Sequence, residues 1–326
     1  MIKRNTVLVL GAGASAPYGF PLGSGLVDEI CKQILETGKV TFRSPKGKTT
    51  TIAIPDLTPR LCDLGYSQIQ AEEFAHQLQS ARPYSVDAFL EARKEFKEIG
   101  KAAIADVLLR AEATSTIGTA HLDVDWYRYL FNKFLLLKSP DYFSAQVKRL
   151  SIITFNFDRS LEQALFLSLR STFGVDAAVA RQLTTELQIH HLHGVLGEPS
   201  FLADGDGDTT PYGPPETDVA QNVRIATKHI KIVDEEIEES VLEDAAVSLQ
   251  RAEFVYFLGF GYDERNLEKL GLTQNLQGSA TVRGTVYGLT EAELAPILRC
   301  FQGRKLHPYA VQSLPFLRNH AESLFD

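Results

Sequence analysis

A short apolar run near the start of the chain leads directly into a glycine-rich turn, and this pair of features restricts the fold most. Residues Thr6 to Leu10 are β-branched or apolar, and Gly11-Ala12-Gly13 follows at once. Such a run is typical of a strand buried in a parallel sheet. The segment from Leu22 to Leu35 repeats apolar residues at helical spacing. These features predict a strand, a tight turn and a helix, the first βα unit of an α/β protein.

Strand-like runs return later in the chain, and helix-like segments separate them. This alternation predicts a doubly wound, Rossmann-like parallel sheet. In such sheets, ligands bind beyond the carboxyl ends of the strands. The later predicted strands cover Leu150 to Phe155, Leu187 to Gly194, EFVYFLGFG from Glu253, and TVRGTVYGL from Thr281.

Two stretches interrupt the alternation. Residues 38–148 contain a possible hairpin between Lys39 and Ile54 and a helical pattern from Pro59 to Leu137. They predict a mainly helical insertion after the first βα unit. Residues 198–233 begin with a segment rich in Gly, Pro, Asp and Thr, which predicts a loop insertion. We expect residues 1–326 to form a single domain that contains both insertions.

Composition narrows the classes of protein that the chain can represent. Its 326 residues carry a net charge of −8, which gives no general support for nucleic-acid binding, since that needs a basic face. The cysteines Cys31, Cys62 and Cys300 are too scattered for a zinc module and indicate a reducing compartment. The apolar run at the start is too short for a signal peptide, and no other run is long enough to cross a bilayer. We therefore expect a cytoplasmic protein with neither a zinc module nor a membrane span.

The first glycine turn, GAGASA, matches the dinucleotide-binding pattern G-x-G-x-x-A. Its place after the first strand favours a ligand that carries phosphate, because free amides at a helix start bind anions. The alternative is a tight turn without a ligand. A dehydrogenase would also need an acidic residue at the end of a second strand. Glu36 has nearly the right spacing but lies at the end of a helix, which weakens that interpretation.

Polar residues follow two of the later predicted strands. Asn156 and Asp158 come directly after a strand, where Asn156 can bind ribose hydroxyls or water. Asp158 can accept a hydrogen bond from a ligand, or it can simply cap the next helix. The HHLHG segment places His193 before a glycine, a suitable position for a general base. Strand alternation predicts His191 and His193 on one face and His190 on the other. This arrangement argues against a metal site.

A second glycine turn follows the predicted strand that starts at Glu253. Gly259-Phe260-Gly261 could lie against a ribose or an adenine, with Asp263 and Asn266 as polar contacts. The alternative is an ordinary helix start, with Asp263 as its N-cap.

The four segments, in this order, resemble the motifs of the Sir2 family. GAGASAPYGFP resembles its GAG-x-S-x-x-x-G-[IF]-P loop, TFNFD its T-x-N-x-D motif, and HLHG its histidine–glycine motif. FLGFG stands where the family has its second glycine-containing nucleotide turn. The resemblance covers most of the chain and implies an enzyme that cleaves the nicotinamide–ribose bond of NAD+.

Departures from the family pattern indicate which branch the chain resembles. Leu22-Gly23-Ser24 stands where the deacylases have D-F-R, and Glu198 to Val233 has no cysteine where they have a four-cysteine zinc module. The chain is more similar to the bacterial Sir2-like effector domains of anti-phage defence, which have a helical insertion and hydrolyse NAD+ to nicotinamide and ADP-ribose. A protein deacylase or ADP-ribosyltransferase is the alternative function, and a nucleotide-binding sensor is a third.

The resemblance also implies roles for individual residues, with NAD+ as substrate and no metal. The GAG-x-S loop would bind the pyrophosphate and the second glycine turn the ribose or adenine, while Asp158 would bind the carboxamide, Asn156 the ribose hydroxyls or water, and His193 would act as base. Activity would depend on a homo-oligomer or on a second defence protein, such as an ATPase or a sensor. The NAD+-binding residues implied are Gly11, Ala12, Gly13, Ser15, Phe20, Pro21, Gly259, Phe260, Gly261 and Asp263.

Overall fold

The structure is a computed structural model, and it describes residues 2–36, 38–43, 49–54, 56–135, 138–203, 208–214, 218–232, 235–301 and 305–324. A six-stranded sheet forms its centre, and two short two-stranded sheets lie outside it. The strands are β1 (Thr6–Leu10), β2 (Gly38–Arg43), β3 (Thr49–Ile54), β4 (Leu150–Thr154), β5 (Gln188–His191), β6 (Glu198–Pro199), β7 (Thr209–Thr210), β8 (Phe254–Leu258), β9 (Thr281–Thr285) and β10 (Leu306–Tyr309).

All neighbouring strands of the central sheet are parallel, in the order β10-β9-β8-β1-β4-β5. The chain winds from β1 through β4 to β5 at one edge, and then returns to the other side of β1 to form β8, β9 and β10. The direction of winding therefore reverses between β1 and β8. In the register, Leu10 lies beside both Thr154 and Leu258, so these three strands end at the same level.

Helices cover both faces of the sheet, as the buried residues of β1 show. Leu8 and Leu10 belong to one hydrophobic core, and Val7 and Val9 belong to another. The prediction of a parallel α/β sheet is confirmed. The helices are α1 (Ala12–Ser15), α2 (Gly23–Leu35), α3 (Leu57–Asp63), α4 (Gln68–Ala81), α5 (Val86–Ala92), α6 (Lys97–Ala113), α7 (Trp126–Leu130), α8 (Pro140–Val147), α9 (Ser160–Phe173), α10 (Ala177–Glu186), α11 (Val219–His229), α12 (Glu239–Arg251), α13 (Glu264–Leu270), α14 (Leu272–Asn275), α15 (Glu291–Cys300) and α16 (Ser313–His320).

Between α2 and β4 the chain forms an antiparallel hairpin, β2–β3, followed by helices α3 to α8. The SPKGK turn predicted for this hairpin, residues 44–48, lies outside the described residues. Ser85 accepts a hydrogen bond from the amide of Ala88 and caps α5. Helix α6 is buried along most of its length and packs against α2 and α11.

One prediction for the second half of the chain needs correction, and one strand there was not predicted. The loop predicted over residues 198–233 contains helix α11, whose residues Val219, Val223 and Ala226 are buried at helical spacing against α6. The helix was not predicted because the segment before it is rich in Gly, Pro and Asp, a composition typical of loops. The sequence also gave no sign of β10, because its LHPY sequence includes a proline, which is tolerated at the edge of a sheet. None of the described helices is both long and apolar enough to cross a membrane.

Candidate functional site

The ends of β1, β4 and β8 bring three of the predicted segments into contact. Side-chain Nδ2 of Asn156, after β4, lies 3.0 Å from the carbonyl oxygen of Gly11, after β1. The amide of Gly13 donates to the carbonyl of Gly259, after β8, over 2.9 Å. The Gly13–Gly259 contact lies between β1 and β8, where the winding of the sheet reverses, and the Asn156–Gly11 contact lies on the other side of the β1 end. Open α/β sheets bind ligands at such a reversal.

The orientation of the Asn156 side chain follows from its partners. Nδ2 donates to the Gly11 carbonyl and also lies 3.1 Å from the hydroxyl oxygen of buried Ser15. A carbonyl oxygen only accepts hydrogen bonds, so the amide nitrogen must face Gly11. Oδ1 of Asn156 is then the atom that remains to accept a hydrogen bond from a hydroxyl group or a water molecule.

The carboxylate of Asp158 is buried and accepts hydrogen bonds from its own chain. The Ser160 amide donates to Oδ1 over 3.1 Å, and the Ser160 hydroxyl donates to the same atom. Burial raises the pKa of Asp158 above its usual value despite these hydrogen bonds. The hydroxyl of Tyr127 lies 2.7 Å from Ser160 Oγ and extends this buried network. Asp158 therefore supports Ser160, the first residue of α9, but the N-cap position is Arg159, so the capping alternative is only partly right. The burial of the Asp158 carboxylate does not favour direct contact with a carboxamide.

Close packing of two loops explains the glycines at this edge of the sheet. A Cβ atom on Gly11 would lie 2.7 Å from the carbonyl oxygen of Gly259, and a Cβ atom on Gly13 would lie 2.8 Å from the Cα of Gly259. Gly259 itself has a φ of +57°, and a Cβ there would lie 2.1 Å from the amide nitrogen of Ala14. Glycine at these positions lets the β1 and β8 loops touch backbone to backbone.

The same packing changes the expected mode of phosphate binding. The amides of Gly11 and Gly13 donate to the carbonyls of Leu258 and Gly259, and the amide of Ala14 donates to Gly11. These three amides are therefore already paired within the protein. Binding of a pyrophosphate by this loop stays a prediction. Among the first amides of this turn, that of Ala12 has no hydrogen-bond partner within the described part of the chain and is available as a donor.

His193 is surrounded by the aromatic rings of Phe155 and Phe157. Its ring meets the Phe155 ring edge-on at 5.1 Å, and only 4% of the residue is exposed. Nζ of Lys269, on α13, lies 3.3 Å from Nε2. Burial, reinforced by the positive charge of Lys269, lowers the pKa of His193 to about 3. The ring is therefore neutral at physiological pH, and Nε2 accepts from the ammonium group, which leaves the ring proton on Nδ1.

The predicted alternation of side chains between the two faces of the sheet holds for His190 and His191 but not for His193. His190 Nε2 lies 3.1 Å from Ser248 on α12, and His191 contacts Glu162 on α9, so these two side chains point to opposite faces. The prediction that His193 shares the face of His191 is wrong. Strand β5 ends at His191, and the chain turns before His193 reaches its partner on α13.

The remaining residues predicted to contact the ligand differ in their burial. Phe20 and Phe260 are buried, and Pro21 is half-buried. A Cβ on Gly261 would meet no atom of the described residues within 4 Å. Asp263 accepts from the amides of Arg265 and Asn266 and caps α13, as the helix-start alternative expected.

The helical insertion contributes residues that sequence reasoning missed. Trp126 Nε1 donates to the Ala14 carbonyl over 2.7 Å, and the Tyr127 ring stacks on Tyr18 at 4.2 Å. The first contact holds the short helix α1 after the glycine turn, and the second holds the single helical turn Ala16–Tyr18 that follows it. Asp87, at the start of α5, has a pKa raised to about 6 by burial, and its Oδ1 has no hydrogen-bond partner among the described residues. A glycine pattern gives no signal for such partners because they are remote in sequence.

Among the residues that the structure describes, no cluster of three or more His, Cys, Asp or Glu side chains could hold a metal ion. Comparison with protein-family models found no family that matches the chain, and a search of curated proteins found no match.

Proposed function

We propose that this protein is a Sir2-like NAD+ hydrolase with a doubly wound, Rossmann-like fold, which cleaves NAD+ and water to nicotinamide, ADP-ribose and a proton. The observation that carries the proposal is the docking of Asn156 on the first glycine turn, 3.0 Å from Gly11 and 3.1 Å from Ser15. This contact joins two motifs that lie more than 140 residues apart, at the edge of the sheet where nucleotides bind in such folds.

In the proposed mechanism, the Ala12 amide binds a phosphate oxygen, and Asn156 Oδ1 holds a ribose hydroxyl or the attacking water. Helix α1 has only four residues, so direct hydrogen bonding matters more there than a helix dipole. Loss of nicotinamide develops positive charge at the ribose C1′. A preorganised carbonyl dipole near that carbon stabilises the transition state, and such groups supply a large part of many rate enhancements.

His193 is the proposed base toward the ribose hydroxyl or the water. Its neutral ring is in the form that accepts a proton, although the pKa of about 3 makes it a weak base. Nε2 faces Lys269 in the structure, so the ammonium group must move aside before this atom accepts a proton. Asp158 serves as a support for Ser160 rather than as a ligand contact.

The proposed setting is a cytoplasmic anti-phage defence system, in which the protein depletes NAD+ as a homo-oligomer or with a second defence protein. Unrestrained NAD+ loss would harm the host cell, so we expect weak activity from the isolated chain and stronger activity in the assembly. Full turnover by a strict monomer, unchanged by any partner, would contradict this part of the proposal.

The test is nicotinamide release from NAD+ by the purified protein, alone and with the product of the neighbouring gene. Parallel assays follow acetyl-peptide turnover and ADP-ribose transfer to protein. Release of free ADP-ribose in equal amount to nicotinamide supports hydrolysis. Acetyl-peptide turnover or transfer would instead identify the alternative enzymes, and binding of NAD+ without its loss in either assay would identify a sensor.

A further inference from the structure

The His191 ring lies between two oxygen atoms, neither of which donates a hydrogen bond in its ordinary state. Nδ1 is 3.1 Å from the backbone carbonyl oxygen of Asn156, and Nε2 is 2.7 Å from Oε1 of Glu162. Carbonyl and ionised carboxylate oxygens only accept, so both ring nitrogens must donate. The pair of His191 and Glu162 therefore holds one proton more than a neutral imidazole beside a carboxylate.

The surroundings of the pair favour that proton. The side chains of His191 and Glu162 are 13% and 10% exposed. Burial works against a charged ring, but the Glu162 carboxylate and the Asn156 carbonyl outweigh it and raise the pKa of His191 above its usual value. Asp158, from the segment before α9, adds a second negative charge nearby. His190 is the neighbouring titratable group on β5, and its ring bonds Ser248 on the opposite face.

His191 completes a set of contacts around Asn156. Gly11 and Ser15 hold the side chain of Asn156, and the backbone amide of Asn156 donates to Thr154 Oγ1 over 3.1 Å. The protonated His191 holds the carbonyl oxygen of the same residue. Loss of the ring proton removes one of the two hydrogen bonds of His191, because a neutral imidazole has a single donor.

We propose that His191 and Glu162 form a proton-dependent clamp that positions Asn156, and that the protein cleaves NAD+ at full rate only while the pair keeps its proton. The inference rests on the proposed function for its effect on activity. His191 is a positioning residue here, since it acts through Asn156. Because its pKa is raised in the folded state, its contribution to stability is complete below its unfolded pKa of about 6.5 and is lost as the pH rises through the folded pKa.

The decisive variant is Glu162→Gln. A glutamine amide can donate to Nε2 of a neutral ring, which leaves the Nδ1 proton for the Asn156 carbonyl, so both hydrogen bonds survive without the extra proton. For the original protein we expect kcat to fall on the alkaline side, by roughly 10–100-fold at full deprotonation, since small misplacements near reacting atoms cost about this much. We expect this alkaline fall to disappear in Glu162→Gln and to persist in the control His190→Gln.

Nitrogen-15 NMR of labelled histidine rings, with His191→Gln to assign the signals, tests the clamp without any enzyme assay. We expect an imidazolium signal for His191 at pH 7 in the original protein and a neutral ring in Glu162→Gln. A neutral His191 at pH 7, an alkaline fall that persists in Glu162→Gln, or a folded Glu162→Gln that is inactive at every pH would overturn the inference. If Glu162→Gln does not fold, the NMR result on the original protein decides whether the pair of His191 and Glu162 holds the extra proton. The same NMR result decides this if the original protein does not cleave NAD+. Absence of NAD+ cleavage counts separately against the proposed function.

Discussion

Gly259 and Gly261 lie two residues apart in the β8 loop, but only the first requires glycine. Gly259 has positive φ, and a Cβ there would lie 2.1 Å from the Ala14 amide nitrogen. We expect Gly259→Ala to lower the free energy of unfolding by at least about 2 kcal/mol, because left-handed strain and a backbone clash add together. Urea unfolding measures this change.

The control for that prediction is Gly261→Ala, where an added Cβ lies more than 4 Å from every other residue that the structure describes, chain neighbours aside. We expect a change within about 0.5 kcal/mol, as for ordinary exposed positions. Equal effects of the two substitutions would show that the loops do not pack as described.

His193 makes a second prediction at the scale of single residues. Its pKa of about 3 in the folded protein lies below the usual 6.5, so the unfolded chain binds more protons between these two values. The stability contributed by neutral His193 is therefore complete above about pH 6.5 and is lost as the pH falls toward 3. We expect His193→Gln to reduce the acid-side slope of unfolding free energy against pH, measured by urea unfolding between pH 4 and 7.

Exposed His121, paired with exposed Asp123, provides the matched control. His121→Gln should leave the acid-side slope unchanged. A slope that His193→Gln does not alter would mean that the pKa of this ring is the same in the folded and unfolded states, and would contradict the prediction.

The burial of His193 also gives this residue a part in the stability of the fold. The ring is buried against Phe155 and Phe157, and His193→Ala would leave a cavity as well as remove the base. Loss of a buried polar side chain typically costs about 1–3 kcal/mol. His193→Gln is therefore the better probe of chemistry, because it keeps most of the volume and one polar group.

At the scale of elements, a buried ion pair joins the helical insertion to the strand-end loops. Arg159, at the start of α9, lies 2.5 Å from Glu112 on α6, and neither side chain is exposed. The same guanidinium donates to the carbonyls of Thr210 and Pro211, so it also holds the segment after β7. Burial raises the pKa of Glu112 even though Arg159 opposes the shift. The pair links three segments that are far apart in sequence.

We expect Glu112→Gln to destabilise the protein by about 3–5 kcal/mol, since it leaves the Arg159 charge buried without its partner. The second variant, Arg159→Met with Glu112→Gln, removes that charge and should recover part of the loss. Thermal or urea unfolding measures both.

The exposed pair Arg4–Glu253, with side chains 54% and 39% exposed, is the control for burial. Glu253→Gln should cost less than about 1 kcal/mol, because water already solvates both charges. Similar costs for the two glutamine substitutions would contradict the burial of the Arg159–Glu112 pair.

At the scale of the whole molecule, the sequence predicted the parallel sheet well, because buried strands such as β1, β4 and β8 are nearly continuous apolar runs. It missed β10, where a histidine and a proline interrupt the pattern, and α11, whose apolar side follows a polar segment. Periodicity identifies elements that bury a regular face and overlooks short edge strands and helices beside loops.

The candidate site was predictable where a motif marks it and obscure where tertiary contacts build it. The sequence pointed to Gly11, Asn156 and Gly259, and the structure places these segments in contact. The sequence did not predict that Lys269 lies beside His193 or that Glu162 lies beside His191. Such partners come from helices whose packing a single sequence does not reveal. The strand alternation also failed for His193, because the turn after β5 is not visible in a histidine-rich segment.

The most direct test of the account measures nicotinamide release from NAD+ by the original protein and by Asn156→Ala, with the neighbouring gene product present. We expect release by the original protein and a loss of at least about 100-fold in Asn156→Ala, since preorganised polar groups near a developing charge contribute about that much. Glu253→Gln, far from the site in a surface ion pair, should keep its activity. Unchanged release by folded Asn156→Ala, or no release by the original protein with or without its partner, would contradict the central claim.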